Sequence, residues 1–196
     1  IGVSACTNPE PCAGGADGET DEELRVRVLE TFKRLPNGAN SAFYQQGALS
    51  FDQVAAAAVI PRPRGVGSVD IVPATLAGLP GQELLKELTD YFEARREIAV
   101  DLQVRAPETV TVNIAVAVEA EEGRNSAEVL GRVEEAVRGW FNGRLLGQRI
   151  LRARLGEIIY HCEGVANYSI TTPAADVAVR EDQLPLLGTL RVEAKV

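Results

Sequence analysis

The feature that most constrains the fold is an alternating stretch from Thr109 to Glu119, with the sequence Thr-Val-Thr-Val-Asn-Ile-Ala-Val-Ala-Val-Glu. Valine or isoleucine occupies every second position, and small or polar residues fill the others. Because side chains alternate across a strand, the aliphatic residues line one face and the others the opposite face. A helix, with about 3.6 residues per turn, could not gather them into one stripe. The stretch therefore predicts the central strand of the sheet.

The segments on both sides predict helices that begin at capping signatures. Thr20-Asp21-Glu22-Glu23 and Asn125-Ser126-Ala127-Glu128 each place a small polar residue three positions before a glutamate. Apolar residues follow at helical spacing: Leu24, Val28, Phe32 and Leu35 after the first cap, and Val129, Val133, Val137, Trp140 and Phe141 after the second. Further helices are predicted after Asn40, from Gly81 and from Leu151.

Shorter alternating runs predict the remaining strands, over residues 54–60, 68–72, 100–104, 165–170 and 189–196. Residues 20–72 and 125–196 share an order of parts: capped helix, short helix, strand, proline-containing loop and strand. The first loop covers residues 61–67, and the second runs through Pro173 and Pro185. The predicted fold class is α+β, with two small mixed α/β units in helix-helix-strand-strand order around a central, mainly antiparallel sheet.

Composition limits the classes of protein to which the chain can belong. With a net charge of −8 over 196 residues, it lacks the basic surface that nucleic-acid binding requires. No apolar run approaches the roughly 20 residues that span a bilayer. Three cysteines do not make a disulfide framework, so a reducing compartment is expected. Residues 1–19 are interpreted as a linker because prolines and glycines interrupt them without any periodic pattern. Since position 1 is not methionine, the linker is expected to come from a missing N-terminal region.

Histidine and cysteine offer few candidates for catalysis or metal binding. His161, the only histidine, is next to Cys162 on a predicted helix. Neighbouring helical side chains point about 100° apart, which suits a surface histidine and a core cysteine better than a Cys–His dyad. Cys6 and Cys12, with one distant histidine, do not match the spacing of structural zinc sites.

A glycine pair and three glutamates each have a simple structural interpretation. Gly65-Val66-Gly67 follows one predicted strand and opens another, which is typical of a hairpin and not of a dinucleotide-binding loop. Glu119, Glu121 and Glu122 could form a carboxylate pair or cation site, but a solvated turn explains them better.

Of two arginine pairs in the sequence, the first, Arg62 and Arg64, is a candidate for binding an acidic partner. Arg62 and Arg64 alternate with prolines in the predicted hairpin loop, and Arg95-Arg96 close a helix. Arginines at loops and helix ends are also common without function. No catalytic, cofactor-binding or metal-ligating residue is assigned, and the chain is not predicted to be an enzyme.

Several motifs resemble those of a known family. The run from Gly14 to Arg27, Gly-Gly-Ala-Asp-Gly-Glu-Thr-Asp-Glu-Glu-Leu-Arg-Val-Arg, is similar to the opening of the central part of baseplate J-like proteins, the wedge proteins of contractile-tailed phages and prophages. Further matches follow in the family's order, so that the resemblance covers about residues 1–193: Asn40-Ser41-Ala42, Gly67-Ser68-Val69-Asp70-Ile71-Val72, Arg95-Arg96, Val104 with Ala106-Pro107, Gly164-Val165, Pro173-Ala174-Ala175-Asp176-Val177, and Leu184-Pro185 with Leu187-Gly188-Thr189-Leu190.

The resemblance implies a structural role for the chain. Residues 20–106 would be the central and 107–196 the C-terminal baseplate J-like domain. Such a protein is a structural component of the tail baseplate and acts by protein–protein contacts. Its expected partners are a lysozyme-like sheath initiator, a tail-fibre-side protein and a second copy of itself, with no nucleic acid or membrane. It would be located in the virion tail baseplate and, during assembly, in the bacterial host cytoplasm. The family transfers no catalytic residue and no cofactor.

Two alternatives stay open at the level of sequence. One is a soluble α+β ligand-binding or regulatory module with a pocket between the halves. The other is an enzyme that uses Cys162 or a carboxylate. A deep pocket with converging polar groups would favour these alternatives, whereas a flat apolar patch or edge strands that pair between chains would favour the baseplate role.

Overall fold

The structure, a computed structural model, describes residues 20–22, 24–25, 28–29 and 40–195. The chain divides into two units, Ile1–Leu35 and Pro36–Val196. In the first unit the described residues after Thr20 are helical, as the capping signature predicts, and the amide of Leu24 donates to the carbonyl of Thr20 at 2.9 Å. Outside the described residues lie Phe32, Leu35, the linker predicted over 1–19, Cys6 and Cys12.

The second unit contains four helices and two three-stranded sheets within the described residues. In chain order the elements are α1 (Ser41–Leu49), β1 (Ala56–Pro61), β2 (Ser68–Ala74), α2 (Gln82–Glu93), β3 (Asp101–Val104), β4 (Glu108–Ala120), α3 (Ser126–Trp140), a 3-10 turn (Gly143–Leu145), α4 (Arg152–Tyr160), β5 (Val165–Thr172) and β6 (Gln183–Ala194). The strand orders are β1-β2-β3 and β5-β4-β6.

The α+β class and the central position of the alternating strand are confirmed, but the pairing differs from the prediction. β4 is the middle strand of its own sheet. Instead of one mainly antiparallel sheet, there are two mixed sheets. β2 pairs antiparallel with β1 and parallel with β3, and β4 pairs antiparallel with β5 and parallel with β6. Helix α2 provides the crossover that the parallel β2–β3 pair needs.

The predicted likeness of the two halves does not extend to their strands. β1 and β2 are hydrogen-bonded neighbours, whereas β4 lies between β5 and β6. β6 also begins earlier than predicted, at Gln183, so that Pro185 lies inside the strand and not in the preceding loop. A proline is tolerated there because β6 is an edge strand.

The larger core lies between the β5-β4-β6 sheet and the two C-terminal helices. Alternate residues of β4 are buried, and the apolar stripes of α3 and α4 pack against them: Val112, Ile114, Val116 and Val118 from the strand, and Val129, Val133, Val137, Leu155 and Ile159 from the helices. The side chain of Asn125 caps α3 by accepting from the amide of Ala127 at 3.1 Å.

The middle strand of the first sheet, β2, is buried on both of its faces. Ile71 on one face packs with residues of α1 and α2, including Tyr44, Leu88 and Phe92. Val72, which points the other way, joins the core of the C-terminal sheet and helices. The consecutive burial of β2 therefore results from having a layer on each side. Among the described residues, every helix is too short or too polar to cross a membrane.

Candidate functional site

His161 and Cys162 turn toward different backbone groups. The imidazole Nδ1 of His161 lies 2.8 Å from the carbonyl oxygen of Glu157 at the exposed end of α4. The thiol of Cys162 is half-buried and donates to the carbonyl oxygen of Ile158 at 3.3 Å. Burial raises the pKa of the Cys162 thiol, which keeps it protonated at neutral pH. This geometry does not activate a nucleophile.

The Cys162 thiol is expected to react slowly with iodoacetamide at neutral pH. Because its pKa is raised in the folded chain, its alkylation rate should increase only above the pH at which an ordinary thiol ionises. Peptide-level mass spectrometry of timed samples separates Cys162 from Cys6 and Cys12. The chain unfolded in urea is the control, and equal rates for Cys162 in the folded and unfolded chains would contradict the prediction.

The acidic residues at the end of β4 and in the following turn form ion pairs. Lys195 Nζ lies 3.2 Å from the carboxylate of Glu119, and Arg124 Nε lies 3.6 Å from that of Glu121. Glu122 is exposed. Within the described part of the chain, no group of three or more His, Cys, Asp or Glu side chains is placed to hold a metal ion. The solvated-turn interpretation agrees with this geometry.

The glycine-rich loop between β1 and β2 is the predicted hairpin connection. Gly65 and Gly67 have φ of 112° and 89°, values that side chains beyond glycine rarely adopt. Of the two loop arginines, Arg62 is exposed, whereas Arg64 is bound within the chain. Its guanidinium donates to Asp101 and Gln103, both at 2.9 Å, and also to Asp70. Arg64 is therefore not a free contact for a partner.

The arginines that follow α2 also contact their own chain. The guanidinium of Arg95 lies 4.0 Å above the ring centre of Tyr91. Arg96 donates to the carboxylate of Glu93 at 2.6 Å and to the carbonyl oxygen of Val100 at 2.7 Å. Both residues thus fix the end of the helix and the start of the connection to β3.

An ion-pair network joins the two sheets at the junction between β3 and β4. Arg105 donates to the carboxylate of Asp70 on β2 at 2.7 Å and to that of Asp182, just before β6, at 3.0 Å. The Asp70 side chain is only 5% exposed. We call the connected set the Asp70 network: Arg64, Asp70, Asp101, Arg105, Glu108, Arg180 and Asp182.

Sequence reasoning missed the Asp70 network. Its central contacts join residues 35 and 77 positions apart, and no local pattern reports such pairing. One signal was available: Asp70 is a lone charge within the apolar run Val69–Val72. A carboxylate in a buried strand requires a cationic partner.

Acid should weaken the contribution of Asp182 to stability. Partial burial alone would raise its pKa, but the hydrogen bonds from Arg105 and Arg180 outweigh burial and lower it. A lowered folded pKa gives stability that is complete above the ordinary aspartate value, about 4, and is lost as pH falls through the folded value. Asp182→Asn should therefore be less stable than wild type at neutral pH, with the difference shrinking in acid.

Urea unfolding of wild type and Asp182→Asn across a pH series measures the difference in their free energy of unfolding. Asp52→Asn removes the same charge at an exposed site and serves as the control. The lowered pKa of Asp182 would be contradicted if the stability difference between wild type and Asp182→Asn stayed constant down to strongly acidic pH.

The face of β4 that points away from the helices is open. It consists of Thr109, Thr111, Asn113, Ala115, Ala117 and Glu119, and we call it the open face. A shallow groove of about 150 Å³ runs over Ala115 and Ala117, between Thr171 on one side and Arg191 and Glu193 on the other. β5 and β6 are the edge strands of this sheet. Such a face and such edges suit contact with another protein chain.

Two models of one protein family match consecutive parts of the chain. The model described as Baseplate J-like central domain matches residues 36–115, and that described as Baseplate J-like protein C-terminal domain matches residues 112–193. The two matches overlap within β4 and follow each other in the order that the names give.

A known protein and a solved structure are similar to the chain over most of its length. The Phage-like element PBSX protein XkdT of Bacillus subtilis (strain 168) is 25% identical over 190 residues, which cover 91% of the chain and 55% of that protein. A chain in the cryo-EM structure of the anti-feeding prophage (AFP) baseplate, 6-fold symmetrised, shares the fold with a TM-score of 0.57 and 9% identity, over 89% of this chain and 43% of that one. The chain thus spans about half the length of the XkdT protein and of the baseplate chain.

Proposed function

Because the chain belongs to the baseplate J-like protein family, we propose that it is a structural component of a phage or prophage tail baseplate and works through protein–protein contacts. The observation that carries the proposal is the consecutive match of the central and C-terminal domain models over residues 36–193. The relative named as a phage-like element protein and the similar fold of a prophage baseplate chain support it. The open face of β4 gives such contacts a surface.

We propose that the chain functions without catalysis, cofactor or metal. The half-buried, protonated thiol of Cys162 and the paired carboxylates of Glu119 and Glu121 support this. We further propose the predicted division into a linker over 1–19, a central domain over 20–106 and a C-terminal domain over 107–196. The overlap of the two family matches near the start of β4 supports a boundary in this region.

The partners follow from the family resemblance. We propose that the chain contacts neighbouring wedge proteins, among them a lysozyme-like sheath initiator and a tail-fibre-side protein, and that it associates with a second copy of itself. Its location would be the tail baseplate, reached from the cytoplasm of the bacterial host during assembly. The net charge of −8 supports partners other than nucleic acid.

Deleting the gene in its bacterial host tests the proposed function. Particles induced from the deletion strain should lack assembled baseplates by electron microscopy, and the wild-type gene supplied in trans should restore them. Mass spectrometry of purified wild-type particles should detect the chain together with other tail proteins. Normal particles from the deletion strain, or purified particles without the chain, would refute the proposal.

A further inference from the structure

An open pocket of about 510 Å³ lies on the helical side of the C-terminal half. It is formed by the end of α3, the 3-10 turn and the start of α4. Its apolar part consists of Trp140, Leu145 and Leu151, and three arginines project around it, Arg144, Arg149 and Arg154. We call it the Arg144 pocket. It is separate from the open face of β4, because α3 and α4 cover the opposite face of that strand.

The charge of the Arg144 pocket contrasts with that of the whole chain. Three guanidinium groups line it without a carboxylate among the lining residues, although the chain has 28 acidic and 20 basic side chains. Arg154 is neutralised in part by Glu157, whose carboxylate lies at 2.6 Å. Within the part of the chain that the structure describes, the guanidinium groups of Arg144 and Arg149 make no hydrogen bond or ion pair. Both are exposed and available to a ligand.

Backbone contacts fix the segment that carries these arginines. The side chain of Asn142 accepts from the amide of Arg144 at 3.0 Å, and that of Gln148 donates to the carbonyl oxygen of Arg144 at 2.8 Å. The amide of Ile150 donates to the carbonyl oxygen of Val177 at 3.0 Å. The backbone of this segment therefore loses little conformational entropy when a partner docks, and the remaining ordering cost is that of the arginine side chains.

The apolar part of the pocket is partly exposed. Leu151 is 37% exposed at the N-cap of α4, and Trp140 is half-buried at the end of α3. Tryptophan and arginine are enriched among the interface residues whose truncation to alanine weakens binding most. Together they provide an apolar contact surface surrounded by cationic groups.

We propose that the Arg144 pocket binds an acidic segment of another protein. One apolar side chain of that segment packs on Trp140 and Leu151, and flanking carboxylates pair with Arg144 and Arg149. A nucleic acid fits less well, because its phosphate backbone would extend beyond the three arginines along a chain whose net charge is −8. The proposal goes beyond the proposed function, since it concerns the chemistry of the pocket and holds whether or not the chain acts in a baseplate.

Trp140 is the single tryptophan of the chain, so its fluorescence reports directly on binding at the pocket. The full chain is titrated with a blocked peptide of the sequence Gly-Glu-Glu-Leu-Glu-Gly while the fluorescence of Trp140 is followed. We expect a saturable change, and binding at least about tenfold weaker when glutamine replaces the glutamates or when salt is raised from about 0.05 M to about 0.5 M. An absent response, or equal binding of the glutamine peptide, would overturn the proposal.

Two double variants locate the peptide on the protein. Arg144→Gln/Arg149→Gln should weaken binding at least about tenfold, without loss of fold, because neither guanidinium has a partner in the described chain. Lys86→Gln/Arg124→Gln removes the same charge from exposed ion pairs elsewhere and should weaken binding less than about twofold. Equal effects of the two double variants would refute the pocket as the site. Tighter binding of a single-stranded oligonucleotide than of the peptide would also refute the proposal, in favour of nucleic acid.

Discussion

Gly143→Ala is expected to lower the free energy of unfolding by about 3 kcal/mol or more. A methyl group at Gly143 would overlap the carbonyl oxygen of Thr75 and lie 2.8 Å from its carbonyl carbon and 3.2 Å from Cβ of Ala74. The Thr75 carbonyl is held by the amide of Gly78 at 2.9 Å, so that it cannot move aside without losing that hydrogen bond. The close approach joins the 3-10 turn to the segment after β2.

Gly131→Ala is the matched control for this substitution. Gly131 lies in the middle of α3 with open space where its Cβ would be. Alanine should therefore stabilise the chain by about 0.5–1 kcal/mol through its higher helix propensity. Urea unfolding followed by circular dichroism measures both variants. A Gly143→Ala protein within about 0.5 kcal/mol of wild type would show that the contact is looser than the structure describes.

Arg105→Met should be the second most damaging change, costing about 2–3 kcal/mol of unfolding free energy. Methionine keeps much of the apolar stem but removes the hydrogen bonds to Asp70 and Asp182. The buried Asp70 then keeps Arg64 as its cationic partner and loses the other. The expected cost is below that of a wholly unpaired buried carboxylate, because Arg64 stays and because Arg105 itself is partly exposed.

Arg180→Met tests whether the effect of Arg105→Met depends on burial. Arg180 also pairs with Asp182, but its side chain is 59% exposed, and we expect a clearly smaller cost than that of Arg105→Met. A double-mutant cycle of Arg105→Met and Asp70→Asn should give a coupling energy of about 1 kcal/mol between the two residues. Additive losses would mean that Arg105 and Asp70 contribute independently, contrary to the geometry.

Local chemistry explains why most elements could be predicted from the sequence. The cap at Asn125 and the stripe of Val129, Val133 and Val137 specify α3 without reference to any other segment. The alternation in β4 specifies which face is buried, and the structure buries that face. Pro61 and the glycines of the following loop specify the hairpin between β1 and β2.

Features that depend on pairing between distant segments could not be predicted in the same way. Alternation identifies the faces of a strand but not the direction of its neighbour, so the parallel β4–β6 pair was missed. The ionic role of Arg64 was missed because Asp101 lies 37 positions away. The Arg144 pocket combines the end of one helix with the start of the next, and only their packing brings Trp140 near Arg149.

The sequence by itself determined the α+β class, the extent of β4 and its buried face, and the order of motifs that identifies the family. Tertiary structure decided that β4 is central to one of two sheets, that its other face is open, and that Asp70 is neutralised by Arg64 and Arg105. The physical reason is that capping, turns and side-chain alternation act over a few residues, whereas sheet order and ion pairing depend on segments that meet only when the chain folds.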